Sequence, residues 1–216
     1  HFFNLPELMS IWKEAADIQT ADMLKLPVPE AEYVNVVTQP TDFQKASVKA
    51  LGKRAEDIRS RLVNPSEDNM LKVTGDGRTL ALDQRLMNPM LPDDPNSKVN
   101  ACIKNILDMW RESTPGKGTQ LVFCDLSTPK QDADAEKGGF TDVYHDIRRK
   151  LIQNGVPESE IAFIHSAKTE AQKSELFAKV RKGQVRVLLG STAKMGAGTN
   201  VQDRLIAEHH LDCPWK

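Results

Sequence analysis

This sequence carries no cysteine framework: Cys102, Cys124 and Cys213 are far apart, odd in number and without CxxC spacing. That excludes a disulfide scaffold and a zinc site of the usual spacing, and it leaves buried thiols as the expectation. Long apolar runs are missing as well. None approaches the roughly 18 residues that a spanning helix needs, so no membrane segment is expected. The start lacks the basic, apolar and small-residue series of a secretory signal, and it opens without a methionine, as an internal fragment would. These absences point to a cytoplasmic location. Positive charge is not in excess either. The 29 lysines and arginines against 30 aspartates and glutamates leave a net charge of -1, so any nucleic-acid contact must come from a local patch.

What is present fits one substantial α/β core. A chain of 216 residues with 39% hydrophobic and 27% charged side chains is long enough to bury such a core and too apolar to be disordered. Asn4, Pro6 and Glu7 mark a helix start, with a capping side chain, a first-turn proline and an acid at the positive end of the dipole. The predicted helix runs from Leu5 to about Leu24 with Leu8, Met9, Ile11, Trp12 and Ile18 on one buried stripe. Leu26-Pro27-Val28-Pro29 ends it. Tyr33 to Val37 reads as a strand, and Pro40-Thr41-Asp42 opens a helix to about Leu62. Residues 64–95 are the least regular, with a turn expected at Gly75-Asp76-Gly77 and a short helix from Leu80 to Leu86. Pro89 to Ser97 is a polar joint, and Val99 to Arg111 is an amphipathic helix.

From Thr119 onward strands and helices alternate. Leu121 to Cys124, Ile161 to Ile164, Val185 to Leu189 and Leu205 to Ala207 read as strands, with helices at Tyr144 to Gln153 and Ala171 to Arg181. That order implies parallel βαβ units with helices on both faces of the sheet. Ligands of such sheets collect beyond the carboxyl ends of the strands, in the loops after Cys124, Ile164 and Leu189. The last of these runs Gly190-Ser191-Thr192-Ala193-Lys194-Met195-Gly196-Ala197-Gly198-Thr199-Asn200-Val201-Gln202. Its glycines permit close backbone approach and positive φ, and its Ser, Thr and Asn side chains offer hydrogen bonds to phosphate or sugar. Taken alone, Gly-x-Gly also suits an ordinary tight turn.

Ser191-Thr192 with Gly196-x-Gly198-x-Asn200 resembles motif V of superfamily-two helicases in its Swi/Snf-like form. Asp212-Cys213-Pro214-Trp215 resembles that branch's following strand end, and Gln120 to Asp125 resembles motif IV. Ile161 to His165 and Phe177 match the strand, turn and helix between motifs IV and V. This resemblance covers about Ser97 to Lys216, while Phe3 to Leu8 resembles the lead-in of large phage and mobile-element helicase-methyltransferase fusions. It implies a RecA-like three-layer parallel sheet, the helicase C-terminal lobe, over residues 98–216, preceded by an N-terminal helical and connector segment over residues 1–97. It implies a second motor lobe of an ATP-dependent DNA helicase or translocase, partnered by DNA, by the N-terminal RecA-like lobe of the same polypeptide and by a linked DNA methyltransferase domain.

The same resemblance places Asp125, Ser127, His165, Ser166, Ser191, Thr192 and Lys194 at the DNA backbone. Gly196, Gly198, Asn200 and Gln202 would face the nucleotide cleft. Such backbone contacts position a protein without reading sequence. Two departures limit the chemistry. The family's motif VI, with its glutamine and paired arginines, does not occur before Lys216, and arginines of this kind contribute roughly 10³ to 10⁵ in rate in comparable enzymes. No G-x-x-x-x-G-K-[ST] phosphate loop and no DExx acid pair for magnesium occurs either. ATP and Mg²⁺ are therefore cofactors of a larger parent, and this chain by itself is expected to carry no catalytic residue and to bind neither tightly. The alternative is a RecA-like nucleic-acid-binding or scaffold domain that never hydrolyses ATP. A small α/β enzyme such as a methyltransferase or phosphatase would need a cofactor loop at its first strand or a nucleophile loop, and neither occurs.

Other polar residues have plainer expectations. His165 suits a phosphate contact or capping better than general-base work, since no acid is placed beside it. His209 and His210 should point to opposite faces of a strand, which is poor chelating geometry, so no metal is assigned to them. Arg148-Arg149-Lys150 reads as a solvated helix face. Asp83 and Arg85 would fix either a local turn or a lobe interface. Trp12 and Trp110 belong to apolar stripes and read as core or lobe-packing residues.

Overall fold

The computed structural model describes residues 3–19, 21–24, 29–129, 139–196 and 198–213. Two compact units divide it, His1–Asn35 and Val36–Lys216. The first contains helices α1 (Leu5–Ala15) and α2 (Ala21–Leu24). Helix α1 has no buried residue, and Leu8, Met9, Ile11 and Trp12 are exposed, so the expected buried stripe does not form. Asn4 sits at the N-cap in a left-handed conformation, but its side-chain amide donates to Glu7 instead of accepting a backbone N–H. The predicted helix also stops early: Ala16 is extended. The Leu26 to Val28 stop lies outside the described residues. Tyr33 to Val37 forms no strand, because a β-branched run needs a neighbouring strand to pair with and these side chains remain exposed.

The second unit opens with helix α3 (Asp42–Arg59), started by a reciprocal capping box between Thr41 and Gln44. Helix α4 (Met70–Leu82) follows, capped by Asn69, and it absorbs the Gly75-Asp76-Gly77 turn expected from the sequence. Tertiary contacts outweigh the roughly 1 kcal/mol cost of each helical glycine here. Arg54 of α3 reaches both Asp68 and Asp76 at 2.7 Å, and Gln44 Nε2 donates to the Leu80 carbonyl at 3.0 Å. The short helix expected over residues 80–86 is the end of α4 plus a 3-10 turn at Gln84–Leu86.

Helix α5 (Lys98–Glu112) leads into the sheet, whose strands are β1 (Thr119–Phe123), β2 (Ile161–Phe163), β3 (Val187–Gly190) and β4 (Leu205–His210). Their order is β2-β3-β1-β4, and every pairing is parallel. Helix α6 (Val143–Gln153) connects β1 to β2, α7 (Glu170–Arg181) connects β2 to β3, and the short α8 (Thr192–Met195) follows β3. Val122, Cys124, Val187 and Leu189 pack with α5 and α6 on one face. Leu121, Phe123 and Leu188 pack with Val180 of α7 and Met195 of α8 on the other. This is the expected α/β architecture, a parallel sheet between helical layers that is consistent with a RecA-like fold. Burying each such aliphatic side chain contributes about 1.5–3 kcal/mol.

Residues 83–97 are bound to α6 by charge. Arg85, 4% exposed, contacts Asp83 at 2.7 Å and Asp146 at 2.8 Å, lies 3.2 Å from Asp93, and sits over the Phe140 ring at 4.0 Å. Lys150 joins the same group at 2.6 Å from Asp93 and 2.8 Å from Asp146. The Arg148-Arg149-Lys150 run is therefore paired and not merely solvated, with Arg149 on Asp146 and Arg148 on Glu158. Trp110 packs against the core as expected, and its ring N–H donates to Glu160 at 2.7 Å. Cys102 and Cys124 are buried thiols, and burial holds Cys102 up at about 12. Cys213 departs from expectation by being exposed. No described helix is long and apolar enough to cross a membrane.

Candidate functional site

In an all-parallel sheet every strand delivers its carboxyl end to the same edge. Here that edge gathers residues 124–127 after β1, the Ile164–Ser166 turn after β2, Ser191 with α8 after β3, and Leu211-Asp212 after β4. Three of the predicted DNA-facing groups are thereby brought to one edge: Asp125 and Ser127, His165 and Ser166, and Ser191 to Lys194.

The loops are tied to one another by specific bonds. Asp212 accepts the Asp125 N–H at 2.9 Å and the Leu126 N–H at 2.8 Å. Asp125 in turn accepts the Thr192 N–H at 2.6 Å, acting as the cap of α8, since the Ser191 side chain makes no capping bond. The Tyr144 hydroxyl donates to the Cys124 carbonyl at 2.6 Å, and burial raises Tyr144 far above its ordinary value. Ser127 is buried and its hydroxyl accepts the Val143 N–H at 3.0 Å, so it serves the start of α6. Asp125 is half-buried, and the oxygen that accepts the Thr192 N–H shapes the loop. Ser191 is buried, while Ser166 and Lys194 are exposed.

His165 is half-buried, with its ring edge-on to Tyr144 at 5.4 Å and its Nδ1 buried without a partner. Burial lowers its pKa, and the Lys194 charge lowers it further, so the ring is neutral near pH 7. Lys194 makes no ion pair among the described residues, which leaves a cation at this edge to meet an anion.

Beneath the α8 loop lies a cavity of about 410 Å³ against the β1–β4 face of the sheet. Gly196, Gly198 and Gln202 line it, together with Thr199, Glu208 and His210. Asn200 is exposed and does not line it; its carbonyl accepts from Arg181 at 2.7 Å. Gly198 has φ +74°, and a Cβ at Gly196 would stand 2.6 Å from the Thr192 carbonyl, so both positions require glycine. The Thr199 Oγ1 is buried without a partner, a polar atom suited to a ligand oxygen or nitrogen. The described lining carries no lysine or arginine for a triphosphate. The cavity thus offers one buried, unpartnered hydroxyl and no cation among its described lining residues.

On β4, His209 and His210 face opposite sides as the strand period requires. His210 stacks on Phe123 at 4.8 Å, while His209 lies 2.9 Å from Gln120. The Phe123–His210 stack, Tyr144 and Asp212 are the elements that sequence reasoning did not assign to the site. Asp212 carried a usable signal, since it stands at the carboxyl end of a strand in a parallel sheet. No protein-family model matches the chain, and no curated protein matches it.

Proposed function

We propose that the chain is the second motor lobe of an ATP-dependent DNA helicase or translocase of the Swi/Snf-like superfamily-two type. The observation that carries this is the two-sided loop after β3. Its Ser191 and Lys194 share the sheet edge with the loops after β1 and β2, while Thr192, Gly196, Gly198 and Gln202 line the cavity. A loop in that position couples a DNA-facing edge to a nucleotide-facing cleft. ATP and Mg²⁺ belong to the assembled motor, with the phosphate loop supplied by the N-terminal RecA-like lobe. The lobe alone is not an active ATPase. A linked DNA methyltransferase and a cytoplasmic location are parts of the same proposal.

The test is DNA-stimulated ATP hydrolysis by this chain and by a longer polypeptide that also carries a first lobe, with Asn200→Ala alongside. Hydrolysis by the longer form only, with DNA stimulation lost in the variant, is the expected result. A longer form that stays inert with DNA present would sink the motor reading and leave a RecA-like nucleic-acid-binding or scaffold domain in its place.

A further inference from the structure

The bonds at the sheet edge form a chain that crosses three strands. Asp212 follows β4, Asp125 follows β1, and Thr192 follows β3, with β1 lying between the other two in the sheet. We propose that Asp212 is a positioning residue that sets the backbone of the β3 loop through Asp125. Its importance for DNA contact rests on the motor-lobe reading; the relay itself does not.

Asp212 Oδ2 accepts two successive backbone N–H groups, of Asp125 at 2.9 Å and of Leu126 at 2.8 Å, and Oδ1 shares the first at 2.9 Å, which fixes the direction of the chain at residues 125 and 126. Carboxylate acceptors of this kind give hydrogen bonds roughly twice as strong as neutral ones. Fixing residue 125 aims its own carboxylate at the Thr192 N–H, 2.6 Å away. The Cys124 N–H is used by the Gly190 carbonyl at 3.0 Å and the Cys124 carbonyl by Tyr144 at 2.6 Å, so residue 124 is already committed on both sides. In the turn that follows, Asp212 holds residues 125 and 126, and Ser127 is held by its bond to the Val143 N–H. A carboxylate with no outward contact is also an unusual group to place at an edge that would receive a polyanion, because its charge alone opposes binding. Its value there lies in the N–H groups it holds.

An asparagine at 212 keeps the shape and can hold its one oxygen at the Oδ2 position, but it removes the charge that strengthens both bonds and sets an NH₂ where Oδ1 met the Asp125 N–H. The experiment is amide hydrogen exchange, read by NMR at Asp125, Leu126 and Thr192 in the chain and in its D212N and D125N variants, with urea denaturation reporting global stability. D212N is expected to speed exchange about tenfold or more at all three amides without an equal loss of global stability. D125N is expected to speed Thr192 and leave Leu126 protected. If D212N frees Leu126 while Thr192 keeps its protection, Asp212 only caps its own loop and the relay is wrong. Should D212N fail to fold, Asp212→Glu, which keeps the charge but displaces the acceptors, is read at the same amides by the same criterion.

Binding of a fluorescent single-stranded oligonucleotide supplies a second readout with a sign of its own. Removing a negative charge from a DNA-facing edge strengthens binding if charge is all that matters, whereas loss of positioning weakens it. D212N is expected to weaken binding several-fold, and an equal or tighter complex would overturn the positioning role. If the unaltered chain binds no oligonucleotide, the DNA reading fails, and exchange at Thr192 still decides the relay.

Discussion

Arg85 Nη2 stands 2.8 Å from Asp146 Oδ2, joining a 3-10 turn of the connector to a helix that begins beyond β1. The sequence left open whether Asp83 and Arg85 fix a local turn or a lobe interface; the geometry shows the turn, with the same arginine bound inside the unit to Asp146. Asp83 accepts from the Arg85 backbone N–H at 2.8 Å and from its guanidinium at 2.7 Å, while Asp146 holds the same guanidinium from α6. Burial alone would push Asp146 up, but Lys150 and Arg85 outweigh it and hold the carboxyl below its usual range.

Removing this guanidinium leaves Asp83 buried without its cation and takes one of three cations from Asp146, which keeps Lys150 and Arg149. Arg85→Met is therefore expected to cost about 3–5 kcal/mol of stability in urea denaturation. Arg85→Lys should recover only part, because an ammonium cannot reproduce the paired Nε and Nη2 bonds to Asp83. A loss under about 1 kcal/mol in the methionine variant would mean that the network does not hold the connector.

A second prediction concerns His209. Gln120 donates its Nε2 to the Ile106 carbonyl at 3.0 Å, so its oxygen faces His209 and the histidine Nε2 carries the proton of that 2.9 Å bond. Burial, with a smaller contribution from His210, lowers His209 from 6.5 to about 4. The unfolded chain then binds a proton at higher pH than the folded one. The associated stability is intact above about pH 6.5 and is lost as the pH falls from there to about 4, by up to about 3 kcal/mol. His209→Gln should flatten that part of the pH–stability curve relative to the unaltered chain. Identical slopes between pH 6.5 and 4 would place the acid sensitivity elsewhere.

Gly190 ends β3 at the threshold of the candidate loop. A Cβ there would lie 2.6 Å from Ile164 Cγ2 and from both Cγ and Sδ of Met195. Ile164 and Met195 are buried in the same cluster, which leaves them little room to move. Gly190→Ala is expected to cost about 1–3 kcal/mol by overpacking. Adding Met195→Ala should relieve part of that cost, which a double-mutant cycle measures as a favourable coupling. Strict additivity would show that the methionine is not the obstacle.

What the sequence showed of this molecule follows from how local each signal is. The β1 and β3 runs were readable because parallel strands buried on both faces leave nearly continuous apolar runs, whereas β4, an edge strand with alternate residues exposed, was legible only over Leu205 to Ala207. Tyr33 to Val37 misled because β propensity describes fit to a neighbouring strand, which the run itself does not supply. Gly75 and Gly77 misled for the opposite reason: Arg54, from another helix, pairs with Asp76 between them. At the candidate site, Gly196 and Gly198 were legible as backbone requirements, whereas the backbone N–H bonds that Asp125 and Ser127 accept were not. Their partners, Thr192 and Val143, lie 67 and 16 residues away, and spacing carries no trace of such pairs.

Lys194 is the side chain whose contribution to DNA contact is simplest to isolate. It is exposed and without an ion pair among the described residues, and the carboxylate of the same edge, Asp125, is turned toward the Thr192 N–H. If Lys194 meets a phosphate, binding releases its share of condensed counterions, and the logarithm of affinity falls with the logarithm of salt by about 0.7 per contact on a single strand. Lys194→Ala should then weaken oligonucleotide binding and shallow that slope by about 0.7, equally for oligonucleotides of unrelated sequence. Substitution of Asp212 should weaken binding at an unchanged slope, because it removes no cation from the phosphate. A Lys194→Ala slope equal to that of the unaltered chain would show that this lysine does not touch the backbone. A sequence-dependent loss would point to base contact, which a loop built from backbone bonds and one flexible cation is poorly shaped to make.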